Sequence, residues 1–277
     1  MQKQKNLCLP MEQIESKIRS MDSDLSEKFV VTACEDSLVR LFTIKDRNME
    51  FLTELTGHTG VVTKAVFINQ GELIASSDFS GKLIVWKLEG HSFVKRSETK
   101  VSNGPIYDIA VRYTDSSFTI FCGCDNGILR TVVFDNNFKA TVTEQEIHRY
   151  GIITVSCNLH FVATGGLDCT AALISKDNIE YLKHHQGAVN SVALAPTDDE
   201  KHTILATCSE DGKLAFIFKE DDSIRTQEIK LKEPCYSLDW SKTGFVLTVG
   251  YGSEEFKSYI QGENGEYEEV PMKKVEE

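Results

Sequence analysis

The stretch Leu73-Ile-Ala-Ser-Ser-Asp-Phe-Ser-Gly-Lys-Leu-Ile-Val-Trp86 decides how this chain is read. It is an apolar strand ending in small residues, a turn built of Asp, Ser and Gly, and a second apolar strand ending in a bulky side chain. β-Branched and aromatic residues on both sides of such a turn specify an antiparallel hairpin. The unit recurs at residues 29–42, 119–134, 161–174, 204–218 and 246–259. Marked by Asp36, Ser80, Asn126, Asp168, Asp211 and Ser253, successive turns lie 44, 46, 42, 43 and 42 residues apart. That is the period of four-stranded propeller blades, about 40 to 45 residues. Helical-pair repeats have similar periods, but strands of alternating Val, Ile, Phe and Thr punctuated by Gly and Asp exclude them.

Six such units predict an all-β fold, a six-bladed β-propeller in one domain, 1–277, with blades at approximately 11–57, 58–102, 103–147, 148–184, 185–230 and 231–277. The strand count uses the whole chain. An alternating segment at 14–20 reads as the inner strand of blade one, Cys235–Trp240 as that of blade six, and Glu266–Val270 as the last outer strand. The alternative for residues 11–21 is an amphipathic helix with Met11, Ile14, Ile18 and Met21 inward. In both readings no spare strand remains to fasten first blade to last, so the propeller is expected to be open.

Composition narrows the function. The chain has 30 basic and 42 acidic side chains, a net charge of −12, with no long cationic run, which argues against direct nucleic-acid binding. No apolar run is long enough to span a bilayer, and Met1 to Pro10 lack a signal-peptide core, so a cytoplasmic protein without an integral membrane segment is expected. The eight cysteines form no Cys-x-x-Cys pair. Cys122 and Cys124, two apart on a strand, read as core thiols rather than metal ligands. No Gly-x-Ser-x-Gly elbow, His-Glu-x-x-His or phosphate-binding Gly loop occurs, so no catalytic residue, metal or cofactor is expected.

Ahead of several units stands a His followed by Gly and a strand: Gly57-His58-Thr-Gly60, His148-Arg-Tyr-Gly151 and His185-Gln-Gly187. With Trp86 at a strand end, this resembles the WD-repeat family over roughly residues 11 to 270. In that family the loop His, the turn Asp and a strand Ser or Thr form a buried hydrogen-bonded cluster. The resemblance implies His148 with Thr164 and Asp168, and His185 with Thr207 and Asp211, whereas His58 meets Ser80 where an Asp is expected. Within the family, an open six-bladed chain with Leu55-Thr-Gly-His-Thr-Gly-Val61, Gly81-Lys-Leu-Ile-Val-Trp-Lys87, Cys124-Asp-Asn-Gly127, Leu205-Ala-Thr-Cys-Ser209 and Leu238-Asp-Trp-Ser241 is similar to the Sec-thirteen family. Trp is kept at one strand end only, which makes this a divergent member.

The Sec-thirteen resemblance implies a non-enzymatic scaffold subunit of a membrane-shaping coat, in the COPII vesicle coat, the nuclear pore Y-complex, or both. It would be peripheral to the ER and vesicle membrane and present at the pore. An elongated helical coat or nucleoporin subunit would donate a β-blade to a slot between blades one and six. The slot would be flanked by Ile14, Ile18, Phe29 and Val31 on one side and Leu238, Trp240, Val246 and Leu247 on the other. The alternative function is a recognition propeller that binds peptides or histone tails.

The strand pattern also places Cys34 and Cys208 at the buried ends of the second strands of blades one and five. A bulky maleimide is therefore expected to leave both unmodified in native protein, while rapid labelling of either would show the strand faces to be misassigned.

Overall fold

A computed structural model describes residues 16–46, 48–114, 117–221, 223–253 and 255–270. Among them, six four-stranded antiparallel sheets are formed, each a meander of consecutive strands. Blade one comprises β1 (Ile18–Ser23), β2 (Phe29–Cys34), β3 (Val39–Lys45) and β4 (Asn48–Leu55). Blade two has β5 (Val62–Ile68), β6 (Leu73–Asp78), β7 (Lys82–Glu89) and β8 (Ser92–Lys100); blade three β9 (Ile106–Thr114), β10 (Ser117–Cys124), β11 (Ile128–Phe134) and β12 (Ala140–Glu146). Blade four has β13 (Ile152–Cys157), β14 (Val162–Gly166), β15 (Ala171–Ile174) and β16 (Ile179–Leu182). Blade five has β17 (Val189–Leu194), β18 (His202–Ser209), β19 (Lys213–Glu220) and β20 (Ser223–Lys230), and blade six β21 (Cys235–Trp240), β22 (Val246–Tyr251), β23 (Glu255–Gln261) and β24 (Tyr267–Glu269).

The expected inner strand of blade one is therefore a strand, displaced toward the C-terminus, and the helical alternative fails for Ile18 and Met21. Met11 and Ile14 lie outside the described residues. The chain divides into two compact units, Met1–Asp125 with Arg130–Glu144, and Asn126–Leu129 with Gln145–Glu277. The first carries blades one and two and most of three; the second carries four to six.

Within each unit the blades pack face to face. In the first, Val31 and Leu41 of blade one meet Val62, Ile74 and Trp86 of blade two, and Leu83 and Val85 meet Ile106, Ile109 and Ile120 of blade three. In the second, Phe161 and Leu173 meet Val192, Leu205 and Ile217, and Phe216 meets Leu247, Val249 and Tyr259. Phe216 also stacks on Tyr267 with ring centroids 4.1 Å apart at 4°. The middle strands are buried on both faces, which is why they read as continuous apolar runs.

The first strand of each blade is a sheet edge with its outward amides unmatched by any ladder, and these amides need acceptors. The preceding blade supplies side-chain oxygens. Ser20 Oγ accepts from Ala65 N at 3.1 Å and Asp22 Oδ2 from Phe67 N at 2.8 Å. In the second unit Thr154 and Ser156 accept from Val192 N and Leu194 N at 3.2 and 3.0 Å, and Ser191 from Leu238 N at 3.2 Å. A polar residue two apart on an otherwise core-facing strand is thus an inter-blade tie.

All six first strands also carry a bulge at the same place. The register skips Arg19, Thr63, Tyr107, Ile153, Asn190 and Tyr236. The skipped residue breaks the simple alternation, so Ile18 sits opposite Cys34 while Ser20 sits opposite Ala33, on the other face of the sheet.

Turn geometry joins each second hairpin to the loop that follows it. Gly81 and Gly127 have φ of +84° and +77°, and a Cβ on either would lie 2.0 Å from the carbonyl oxygen of Ser102 or His148. Their own carbonyls accept the amides of Val101 and Ser102, and of Ile147 and His148. Only a residue without a side chain permits this approach.

Candidate functional site

In blade two, the residue four positions ahead of β5, His58, is tied to the end of β6. Its Nδ1 lies 2.8 Å from Asp78 Oδ2 and its Nε2 2.7 Å from Ser76 Oγ, which also accepts Trp86 Nε1–H at 2.9 Å. Because Trp86 can only donate, the Ser76 hydroxyl proton goes to His58 Nε2, and His58 Nδ1–H donates to Asp78. Burial acts to raise the Asp78 carboxyl, but hydrogen bonds from His58, Ser80 and the Lys82 amide outweigh it and hold the group at about 2.

Blades four and five repeat the arrangement. His148 reaches Asp168 at 3.0 Å and Thr164 at 2.8 Å, and His185 reaches Asp211 at 3.4 Å and Thr207 at 2.8 Å. The amides of Arg149 and Gln186 donate to the same two carboxylates. Burial pushes both His148 and His185 below their ordinary range, against the pull of the neighbouring carboxylates. All three rings are enclosed and bonded at both nitrogens to their own blade, so the arrangement is a structural lock without a nitrogen free to take a substrate proton.

In blade two the carboxylate does not come from the turn position. β-Sheet register makes Ser76, Thr164 and Thr207 equivalent, each eight residues before its partner on the next strand. Ser80 therefore does match Asp168, and Asp78 matches Gly166. A Cβ at Gly166 would lie 2.5 Å from His148 Nδ1 and 2.6 Å from Asp168 Oδ1. The space that Asp78 fills in blade two is left empty by Gly166 in blade four so that Asp168 can reach the same ring nitrogen. The same register puts Ile217, rather than Phe218, at the place of Trp86.

Blades one and three carry a lock that the sequence reading missed. Arg40 grips Asp36 with two hydrogen bonds, 3.1 and 2.6 Å, and also bonds Cys34. Arg130 bonds Glu144 at 2.8 Å, Cys124, and Ser102 Oγ at 3.3 Å, where Ser102 occupies the place of the loop His four residues before β9. Arg40 and Arg130 appear only in units without a documented loop His, which was the available signal. In blade six the place of the loop His holds Leu231, buried with Val249 and Tyr251. Cys34, Cys122, Cys124 and Cys208 are free thiols, all completely buried.

The residues assigned to a partner-blade slot are mostly turned away from one. Val31 packs on blade two, and Phe29 shares its face; Leu238, Trp240 and Leu247 pack on blade five. Ile18 and Val246 alone of the described set lie on faces turned away from the neighbouring blade of their unit, and Ile14 is outside the described residues. The reason is strand parity: adjacent Val246 and Leu247 point to opposite faces, and Phe29 and Val31 share the face that blade two covers. The outward face of blade one instead carries Met21, Val30, Phe42, Ile44, Met49 and Phe51, with Met21 56% and Phe51 46% exposed. That of blade six carries Val246, Phe256 and Ile260, the last two 53% and 43% exposed. Ser237, at the position where Ser20, Thr154 and Ser191 accept a neighbouring amide, is exposed and receives none among the described residues.

Residues 49–87 and 176–216 match the family described as WD40, WD domain, G-beta repeat. With six four-stranded blades, this makes the chain a WD-repeat β-propeller. It is 23% identical over 280 residues to "Protein transport protein SEC13-2" of Candida glabrata, covering 87% of this chain and 92% of that protein. It is 20% identical over 285 residues to "Protein SEC13 homolog" of Dictyostelium discoideum, covering 91% and 94%, and 26% identical over 169 residues to "WD repeat-containing protein 55" of Mus musculus, covering 60% and 42%. Similarity over nearly the full length to the first two supports a divergent propeller of the Sec-thirteen family. No helix among the described residues is long and apolar enough to cross a membrane.

Asp78→Ala is expected to cost about 3 kcal/mol, because it leaves a buried imidazole donor unsatisfied. The double change Asp78→Gly with Ser80→Asp moves the carboxylate to the position used in blade four and should restore most of that loss. Urea denaturation of the three proteins checks both, and no recovery in the double variant would refute the equivalence.

The locks also set a pH response. His148 and His185 are held below their unfolded value of about 6.5, so the unfolded chain takes up protons first and stability falls as pH drops below 6.5. Asp78, held at about 2, adds a second loss as pH falls from about 4 toward 2. Melting temperature between pH 7.5 and 3 should show both steps, and the first should shrink in a His148→Asn, His185→Asn protein.

Proposed function

We propose that this propeller is a non-enzymatic scaffold subunit of a protein-transport coat, completed by a β-blade from an elongated coat or nucleoporin subunit. The proposed places of work are the COPII vesicle coat at the ER, the nuclear pore, or both. The observation that carries the reading is Ser237. Every other tie residue of its kind in the second unit receives the first-strand amide of the next blade, and Ser237 presents the same hydroxyl beside an apolar face with Phe256 and Ile260 exposed. An added blade whose first-strand amide donates to Ser237 and whose side chains cover that face repeats the tie and the sheet packing that join blades four, five and six. The names of the SEC13 relatives support transport as the setting.

The test is purification from native cells of the wild-type chain and of a Phe256→Glu, Ile260→Glu variant. The wild type is expected to bring a coat or pore subunit with it and to melt higher in that complex than alone. The variant should keep its own melting temperature and lose the partner. Retention of the same partner by the variant, or wild-type recovery with chromatin or ubiquitin-ligase subunits instead, would favour a recognition propeller.

A further inference from the structure

The second unit contains a cavity of about 430 Å³ between blades five and six, at the end of the strands opposite the His185 lock. It is open to solvent along its rim. Its size is within the range of ligand pockets, too large for a lone ion and right for one or two amino-acid side chains.

Arg225 of β20 is the principal chemical feature of this cavity. Its guanidinium carbon sits over Phe218, 3.8 Å from the ring centroid, and Nη2 donates to the Gly265 carbonyl at 3.2 Å. Phe218 is backed by Tyr267, so the cation rests on an aromatic stack. Lys219 on the cavity wall is neutralised by Glu180 at 2.8 Å, and His202 Nδ1 is hydrogen-bonded to Asp199 at 2.8 Å. Glu220 also lines the cavity, but no carboxylate among the described residues forms an ion pair with Arg225. A guanidinium fixed by stacking and one carbonyl keeps its remaining N–H donors in a fork that fits a carboxylate.

The rim adds an apolar contact. Phe245, on the turn between β21 and β22, is 75% exposed, the most exposed of the large hydrophobic side chains. A lone apolar ring on a surface needs no explanation, but one beside an unneutralised, pre-oriented guanidinium matches a ligand of the same two parts.

We propose that this cavity is a second binding site, separate from the outward face of blade six, for a polypeptide segment of a partner that bears a carboxylate next to an apolar side chain. The carboxylate takes the free donors of Arg225 and the apolar side chain packs against Phe245 and Tyr267. The open rim lets a chain run across the site with both ends in solvent.

The probe is the capped peptide acetyl-Gly-Asp-Phe-Gly-amide, titrated into the full chain and followed by backbone and Arg Nε–H resonances. Saturable shifts at Gly265, Phe245 and the Arg225 side chain are expected. Replacing the probe's Asp by Asn, which leaves the protein untouched, should weaken binding at least about tenfold, since it removes a charge-assisted pair. Arg225→Gln should do the same, and Phe245→Ser, on an exposed turn, should weaken binding several-fold at unchanged melting temperature. Equal binding of the Asp and Asn probes, shifts confined to other surfaces, or no saturable shift at all would overturn the proposal. So would Arg225-dependent binding to phosphatidylserine vesicles without peptide binding, which would assign the cation to lipid headgroups. None of these outcomes depends on Ser237, Phe256 or Ile260, so this site and the proposed blade-accepting face fail or stand separately.

Discussion

Within each unit the first strand of a blade is a sheet edge beside its neighbour, and its amides cannot be left bare where water is excluded. Most of the polar chemistry in this chain answers that constraint. Side-chain oxygens two residues apart on one first strand, such as Ser20 and Asp22 or Thr154 and Ser156, accept the amides of the next. The residue four places ahead of the strand then fastens its entry to the neighbouring turn. An edge treated this way is a connector, and the same feature that holds blades together inside a unit is what Ser237 offers at the end of the second one.

The fastening itself is one geometric task with three chemical solutions. Blades two, four and five use an imidazole between a carboxylate and a hydroxyl. Blades one and three use a guanidinium that gathers a carboxylate and a thiol, and blade six uses Leu231 in an apolar cluster. The solutions differ in what they respond to. The imidazole locks of blades four and five weaken on mild acidification because protonation is favoured in the unfolded chain, guanidinium locks keep their charge throughout, and the apolar one has no titrating group in the lock position. Stability is therefore not distributed evenly among the blades as conditions change.

The hairpins at the middle of each blade were legible in the sequence because small residues, a turn and a bulky strand end recur at a fixed period. The locks of blades four and five were legible through the family resemblance, His148 and His185 each standing in the entry loop ahead of a hairpin whose turn carries Asp168 or Asp211. Blade two misled because its carboxylate reaches the same nitrogen from two residues earlier, a substitution visible only once Gly166 is seen to leave that space open. The faces of the terminal blades were not legible because middle strands carry apolar residues on both faces, so sequence alone does not show that Val31, Leu238, Trp240 and Leu247 are core while Met21, Phe51, Phe256 and Ile260 take the outward positions.

The bulge has a further bearing on how such a chain changes over time. Arg19, Thr63, Tyr107, Ile153, Asn190 and Tyr236 occupy one geometric slot six times over, each excused from the ladder that constrains its neighbours. No residue type occurs there by structural requirement: a cation, a hydroxyl, an amide, an aliphatic chain and two phenols all serve. Insertion or deletion at this point would turn a whole strand over, whereas exchange of the side chain alters only the contact that it makes, such as the bond from Asn190 Nδ2 to the Cys235 carbonyl or that between Thr63 and Ser77. Each blade thus keeps one position where the side chain, released from the ladder, sets a local contact without setting the register of the strand.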